Sequence, residues 1–366
     1  MDLKTMRSSP LGRLLQFEGT AMLPNVLLMS KLMVLLLLAY HFFFKIEDPF
    51  IPFFQFLDVF NQAPGLFKWG LRILFGIFAT TLFLNIWVRT SALILGAIVI
   101  LGLVASKPLF NNHTFICGCA LILAGLSNRT QPPLLLIYQL ALVYLGASLN
   151  KFLDPDWWDG SFMHTWLFEA RENPFYLTVS QWFPERYFAI FLSWIAMSSE
   201  LILGVLFIFK RTRNIGVWIA IIFHTILFTM TAFKFGHFFQ SLAILLIAFL
   251  NWPKGAVIVQ FKSGSLKLLR LIFSWLDWDQ KIKWEGNLSS NNWMVLKTKD
   301  GQQTNHKALK DLILYTPLFY ISLLGLDMLL YLIFYYERTL LFILNLIIYW
   351  GLIFYFFPSL KNQPSK

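Results

Sequence analysis

The chain has 366 residues, of which 57% are hydrophobic, 18% aromatic and only 13% charged, against about 25% charged in soluble domains. That composition excludes a soluble globular domain, because a core of this size could not bury so much Phe, Leu and Ile. The formal net charge of +11 does not indicate nucleic acid either: the Lys and Arg are scattered over loops and one hydrophilic segment, with no basic and aromatic binding face.

A hydrocarbon core about 30 Å thick needs roughly 20 apolar residues per helix, and such stretches recur along almost the whole sequence. Residues 1–23 carry Leu11, Leu14, Leu15 and Phe17 beside Arg7 and Arg13, which predicts a helix lying on the membrane surface. Spans are expected at Pro24 to Phe44, Leu71 to Val88, Ser91 to Ala105, Asn111 to Leu126, Pro133 to Asn150, Tyr187 to Phe209, Ile215 to Ala232, Gly236 to Leu250, Leu312 to Phe334 and Leu340 to Phe357. The fold class is therefore an all-α polytopic membrane protein with about ten transmembrane helices. No small-residue cleavage site follows the charged start, so the first span is expected to stay as an anchor. Lys31, inside that span, has no evident reason to be there.

Alternate loops hold 20 and nine Lys and Arg residues. The richer set includes the short loop with Lys210, Arg211 and Arg213, so both termini are expected in the cytoplasm of a multi-pass cell-membrane protein. Between spans five and six, Lys151 to Arg186 carries Trp157, Trp158, Trp166 and Trp182, which favours a segment lying along the outer headgroups. Between spans eight and nine, residues 253–311 predict a small cytoplasmic subdomain with a strand-like run at Ala256 to Phe261 and an amphipathic stretch at Leu266 to Leu276. It resembles faintly the thioredoxin-like DCC family but lacks that family's thiol motif, so no redox role is assigned to it. The four expected parts are residues 1–23, 24–252, 253–311 and 312–366, the last a transmembrane hairpin.

Ionisable groups inside spans are expensive in lipid and are functional candidates for that reason. His113 opens the fourth span after Asn111 and Asn112, Lys151 ends the fifth, Glu200 lies deep in the sixth and His224 deep in the seventh. Each has a plain structural reading as well, a snorkelling lysine or a packing histidine among them. Alternating topology places His113, Lys151 and His237 at external helix ends, so that a shared base site on that face is geometrically allowed. Cys117 and Cys119 are too close in sequence for an unstrained disulfide and read as packing thiols. No metal site is expected.

Asn111-Asn112-His113-Thr114-Phe115, then Val143-Tyr144, Asn150-Lys151, Asp154-Pro155-Asp156-Trp157 and Gly160 resemble the vitamin K-dependent gamma-glutamyl carboxylase. That family belongs to a superfamily named for a horizontally transferred transmembrane (HTTM) domain. The resemblance continues through Glu200, four residues before Gly204, and through Phe223-His224, covering about Phe54 to Leu250. It implies a lyase-type membrane enzyme in which Lys151 deprotonates a reduced quinone and His113 serves the quinone and oxygen chemistry. Oxygen and CO₂ are co-reactants, and Asn111, Asn112, Tyr144, Asp156, Trp157, Glu200, His224 and His237 line the pocket. Such a base must be a neutral amine, which burial favours and the neighbouring Asp154 and Asp156 oppose. Where the carboxylase has a large lumenal region, this chain has a segment of about sixty residues and two more spans, which argues against glutamyl carboxylation itself. The alternative is a non-catalytic factor for maturation or export of a secreted peptide.

Overall fold

The computed structural model describes residues 10–46, 51–130, 133–230, 236–249 and most of 252–326. The chain divides into two compact units, Met1–Pro132 with Ile247–Lys366, and Pro133–Leu246.

In the first unit, helix α1 (Pro24–Ala39) is followed by α2 (Pro64–Phe83), α3 (Val88–Ala105) and α4 (Asn112–Leu126). Prolines at the first turns of α1 and α2 occupy the one place in a helix where a missing N–H costs nothing. The first span is shorter than expected. It breaks at His41, whose φ is 58°, and a separate turn, Phe42–Lys45, brings Phe42 inward against Phe75 at 5.9 Å. The gap that admits Phe42 is left by Gly102, where a Cβ would lie 3.2 Å from the Phe42 ring.

Helices α3 and α4 approach until backbone meets backbone. A Cβ on Gly96 would stand 2.6 Å from the Gly118 carbonyl, and one on Gly125 would stand 2.6 Å from the Arg89 carbonyl. Small residues at such crossings are how membrane helices gain dispersion contact without a hydrophobic driving force. The two thiols follow from the same packing: Cys117 is buried, Cys119 half-buried, and both are free.

Three cations end three helices. Lys31 is fully buried in α1, and its amine donates to the carbonyls of Phe83, the last residue of α2, at 3.1 Å and of Leu14 at 2.8 Å. The rings of Phe17 and Phe83 lie 4.9 and 6.0 Å from it. Arg89 donates to the Gly125 and Leu126 carbonyls that close α4. In the second unit, Arg213 donates to the Phe207 and Ile208 carbonyls that close its sixth-span helix. Each cation meets orphan carbonyls at the negative end of a helix dipole. The N-terminal segment carrying Leu14 is a short 3₁₀ helix, Pro10–Leu15, pinned again by Asn85, whose amide donates to the carbonyls of Arg13 and Gln16.

The expectation of an all-α chain is corrected at residues 257–304, which form a four-stranded sheet within a mostly helical protein. Strands β1 (Val257–Phe261), β2 (Ile282–Gly286), β3 (Met294–Thr298) and β4 (Gly301–Thr304) lie in the order β2-β1-β3-β4. β1 and β2 are parallel, and the other two pairs are antiparallel. A parallel pair needs a crossover, supplied by α9 (Lys267–Leu276), and α10 (Asn305–Leu314) follows β4. Val257, Val259 and Phe261 alternate inward while Met294, Val295 and Leu296 are all buried, so the sheet has a core of its own.

The second unit holds α5 (Leu134–Phe152), α6 (Tyr187–Ile208), α7 (Arg213–Met230) and α8 (Gly236–Leu246). Between α5 and α6 come short turns at Pro155–Trp158, Ser161–His164, a π turn at Thr165–Glu169, and Pro174–Ser180. Across both units, α2, α3, α5 and α6 are long and apolar enough to cross a membrane, while α1, α4 and the Ile215–Leu227 part of α7 are shorter apolar helices. The first turns of the expected ninth span coincide with the end of α10, and the tenth lies outside the described residues.

Candidate functional site

Helical spacing puts Tyr144, Ser148 and Lys151 on one face of α5 and Met197, Glu200, Gly204 and Phe207 on one face of α6. These faces meet. A Cβ on Gly204 would lie 2.5 Å from Cγ of Leu145, so the absent side chain sets the interhelix distance. At that distance the Ser148 hydroxyl donates to the Met197 carbonyl at 3.0 Å. Two polar pairs occupy the seam, separated along α5 by about 10 Å at 1.5 Å per residue.

The outer pair is Lys151 and Glu200. Nζ of Lys151 lies 2.5 Å from Oε2 of Glu200, with side chains 18% and 12% exposed. The Trp157 ring centroid is 5.0 Å from the same amine, and that indole stacks on Phe162 at 4.4 Å. The inner pair is Tyr144 and His224 of α7, both buried, with Oη and Nε2 sharing a hydrogen bond of 2.7 Å. Phe207 stacks on the Tyr144 ring. Ser193, one turn before Met197, is buried, and its hydroxyl has no hydrogen-bond partner among the described residues.

The carboxylates nearest to Lys151 in sequence do not pair with it. Asp154 caps the Pro155–Trp158 turn, accepting from the Asp156 N–H, and Asp156 is exposed. Trp158 closes α5 instead, donating to the Phe152 carbonyl at 2.8 Å. At the next turn, the backbone N–H and hydroxyl of Ser161 hold the Asp159 carboxyl below its usual range. Farther on, His164 shares a 2.9 Å hydrogen bond with the Tyr176 hydroxyl, and burial pushes that hydroxyl up. Trp157, Met163, Leu167, Tyr176, Phe188 and Met197 form one apolar cluster, which ties the loops to α6 and holds Trp157 beside the amine.

Gly160 permits that docking. Its φ of +74° lies in the left-handed region, and a Cβ there would stand 2.6 Å from the Ile190 nitrogen. Gly160→Ala should therefore cost about 2 kcal/mol or more through strain and a backbone clash, read as a lower thermal midpoint in detergent. Gly146→Ala on α5, where nothing lies within 4 Å, should instead gain up to about 1 kcal/mol.

Asn111 and Asn112 are exposed at the start of α4, with the Asn111 amide donating to the Leu109 carbonyl. His113 is half-buried, edge-on to Tyr40 at 5.2 Å. It belongs to the first unit, whereas Lys151 belongs to the second. The side chain of His237, at the start of α8, lies outside the described residues. Ser148 and Ser193 were missed by the sequence reading, although their spacing from Lys151 and Glu200 is helical and could have flagged them.

The second unit also coincides with a match to a known domain family. Residues 131–252 match the family model of the HTTM domain. The HTTM match covers a third of the chain and coincides with the unit Pro133–Leu246. It contains both polar pairs and Trp157, while Asn111, Asn112 and His113 lie before it. No curated protein and no solved structure matches the chain. Among the described residues no group of three or more His, Cys, Asp or Glu could hold a metal ion.

Proposed function

We propose that the chain is an integral membrane enzyme related to the vitamin K-dependent carboxylases, with Lys151 and Glu200 acting on an acidic hydroxyl of a quinol or another lipid-borne substrate. The observation that carries this reading is the 2.5 Å contact between Lys151 and Glu200 inside the HTTM domain. Apolar surroundings penalise separated charges, so a proton passing from ammonium to carboxylate leaves a neutral pair at little cost. Glu200 in this way returns Lys151 to the amine that a base must be.

The donor set suits a flat hydroxylated ring: an amine and a carboxyl group side by side, against the Trp157 and Phe162 rings. A reduced quinone, with oxygen, would supply the strong base of carboxylase-like chemistry. The chain's own residues hold and move protons: Glu200 keeps the proton it took from the ammonium, Lys151 takes the hydroxyl proton and stays as the ammonium beside the oxygen it has deprotonated, and Trp157 shields the amine from water. Tyr144 and His224 form a second polar pair deeper in the same seam. His113 is assigned by resemblance alone. Residence in the cell membrane with cytoplasmic termini belongs to this proposal, and glutamyl carboxylation does not.

The test is hydroquinone-dependent epoxide formation and oxygen uptake by the purified protein in nanodiscs. Lys151→Arg keeps the positive charge and the Glu200 pair but removes an accessible neutral amine, so the rate should fall about 100-fold or more. Full retention of activity, or an inert wild type, would sink the base assignment. A non-catalytic role in maturing or exporting a secreted peptide is favoured by one observation, that the Lys151 amine is already engaged by Glu200. On that reading Lys151→Arg leaves peptide output unchanged.

A further inference from the structure

The crossover helix α9 has two apolar faces and only one is used. At about 100° per residue, Leu269, Phe273 and Leu276 share one side. Phe273 on that side is buried and stacks on Phe319 at 6.2 Å. Leu268, Leu271, Ile272 and Trp275 share another, and they are 69%, 62%, 44% and 83% exposed. Spacing of i, i+3, i+4 and i+7 makes these four a continuous stripe. Single exposed apolar residues are ordinary on any protein, but a contiguous stripe marks a surface that meets something else. Lys267, Arg270 and Ser274 form the flank beside it, all exposed.

Two observations identify the partner. Residues 253–311 carry ten Lys and Arg against five Asp and Glu, and Lys267 of α9 sits on the edge of the apolar stripe, while the Arg270 guanidinium lies over the Phe261 ring of β1 at 5.9 Å. That is the charge pattern of a helix lying in an anionic headgroup layer, with Trp at the boundary. The second observation is position. Lys281, between α9 and β2, pairs at 2.5 Å with Glu18, six residues before α1 begins. Trp252 donates to the same Glu18 carboxylate at 3.0 Å. The segment that follows α9 is thus held beside the N-terminal end of the apolar helix α1.

We propose that α9 docks through Leu268, Leu271, Ile272 and Trp275 into the anionic lipid leaflet on its own side of the membrane, with Lys267 on the lipid phosphates. The sheet then hangs from the bilayer by its crossover helix rather than projecting from it on linkers.

The test uses the full chain in phosphatidylglycerol-containing nanodiscs, with Cys117→Ala and Cys119→Ala removing the native thiols. A bimane label is placed at Leu271→Cys or, in a second variant, Trp275→Cys, with exposed Gln302→Cys of β4 as reference. Quenching by doxyl-labelled lipid should be at least about twofold stronger at 271 and 275 than at 302, and quenching by aqueous iodide should follow the opposite order. Labels at 271 and 275 open to iodide would overturn the docking. Labels shielded from both quenchers would also overturn it, since protein would then cover the stripe, as would a disulfide formed between copies at 271. Lys267→Glu should bring the lipid quenching at 271 down towards the reference. Unchanged quenching would overturn the assignment of Lys267 to phosphates.

Discussion

Glu200→Gln is expected to lower the thermal midpoint of the detergent-solubilised protein by about 8 °C, whereas Lys151→Met with Glu200→Leu should restore most of the loss. The single change leaves the Lys151 ammonium against an amide inside an apolar seam. Stranding one member of a fully buried pair costs about 3–5 kcal/mol. Exposures of 18% and 12% let water share the load, which leaves about 2 kcal/mol, or ~8 °C for a unit of this size. The double change removes both desolvation costs and replaces them with packing. The measurement is a double-mutant cycle by thermal melting. Additive losses would mean that the two groups do not interact. The same cycle separates stability from chemistry: the double variant should be well folded and inactive.

A larger effect is expected at Lys31. Lys31→Glu would set a carboxylate against the carbonyls of Leu14 and Phe83, in a fully buried place with two phenyl rings beside it. Four like-signed oxygens at hydrogen-bond distance cannot be solvated there, so this variant should give no monodisperse peak in size-exclusion chromatography after membrane extraction. Lys31→Met keeps the length and gives up two donors, and should cost about 1–3 kcal/mol. A Lys31→Glu protein that melts like the wild type would show that the amine is not held by these carbonyls.

Apolar composition and span length were enough to identify membrane helices, since lipid leaves helical segments few alternatives. The break at His41 was not legible, because it depends on the space that Gly102 leaves for Phe42. Of the sheet, only the run at Ala256 to Phe261 stood out. The pattern of β2 is mostly exposed and that of β4 entirely polar, so neither carries the alternation that announces a strand. Lys151, Glu200, Tyr144 and His224 could each be singled out as costly polar groups in lipid. Their pairing could not, because the Lys151–Glu200 contact depends on the α5–α6 register that Gly204 sets and the Tyr144–His224 contact on how α7 packs against α5. The expected opposition of Asp154 to a neutral Lys151 was read from nearness in sequence, and the turn at Pro155 gives that carboxylate a backbone N–H instead.

The helix-closing cations bear on how orientation in the membrane is engineered. Arg89 and Arg213 belong to the charge set that favours cytoplasmic loops, yet each is also bound to two terminal carbonyls. Neutralising either one to invert the protein would unravel a helix end together with the topological signal. Lys210 and Arg211 are exposed and carry none of these bonds, so they are the charges that can be moved to redirect insertion while the helices stay closed.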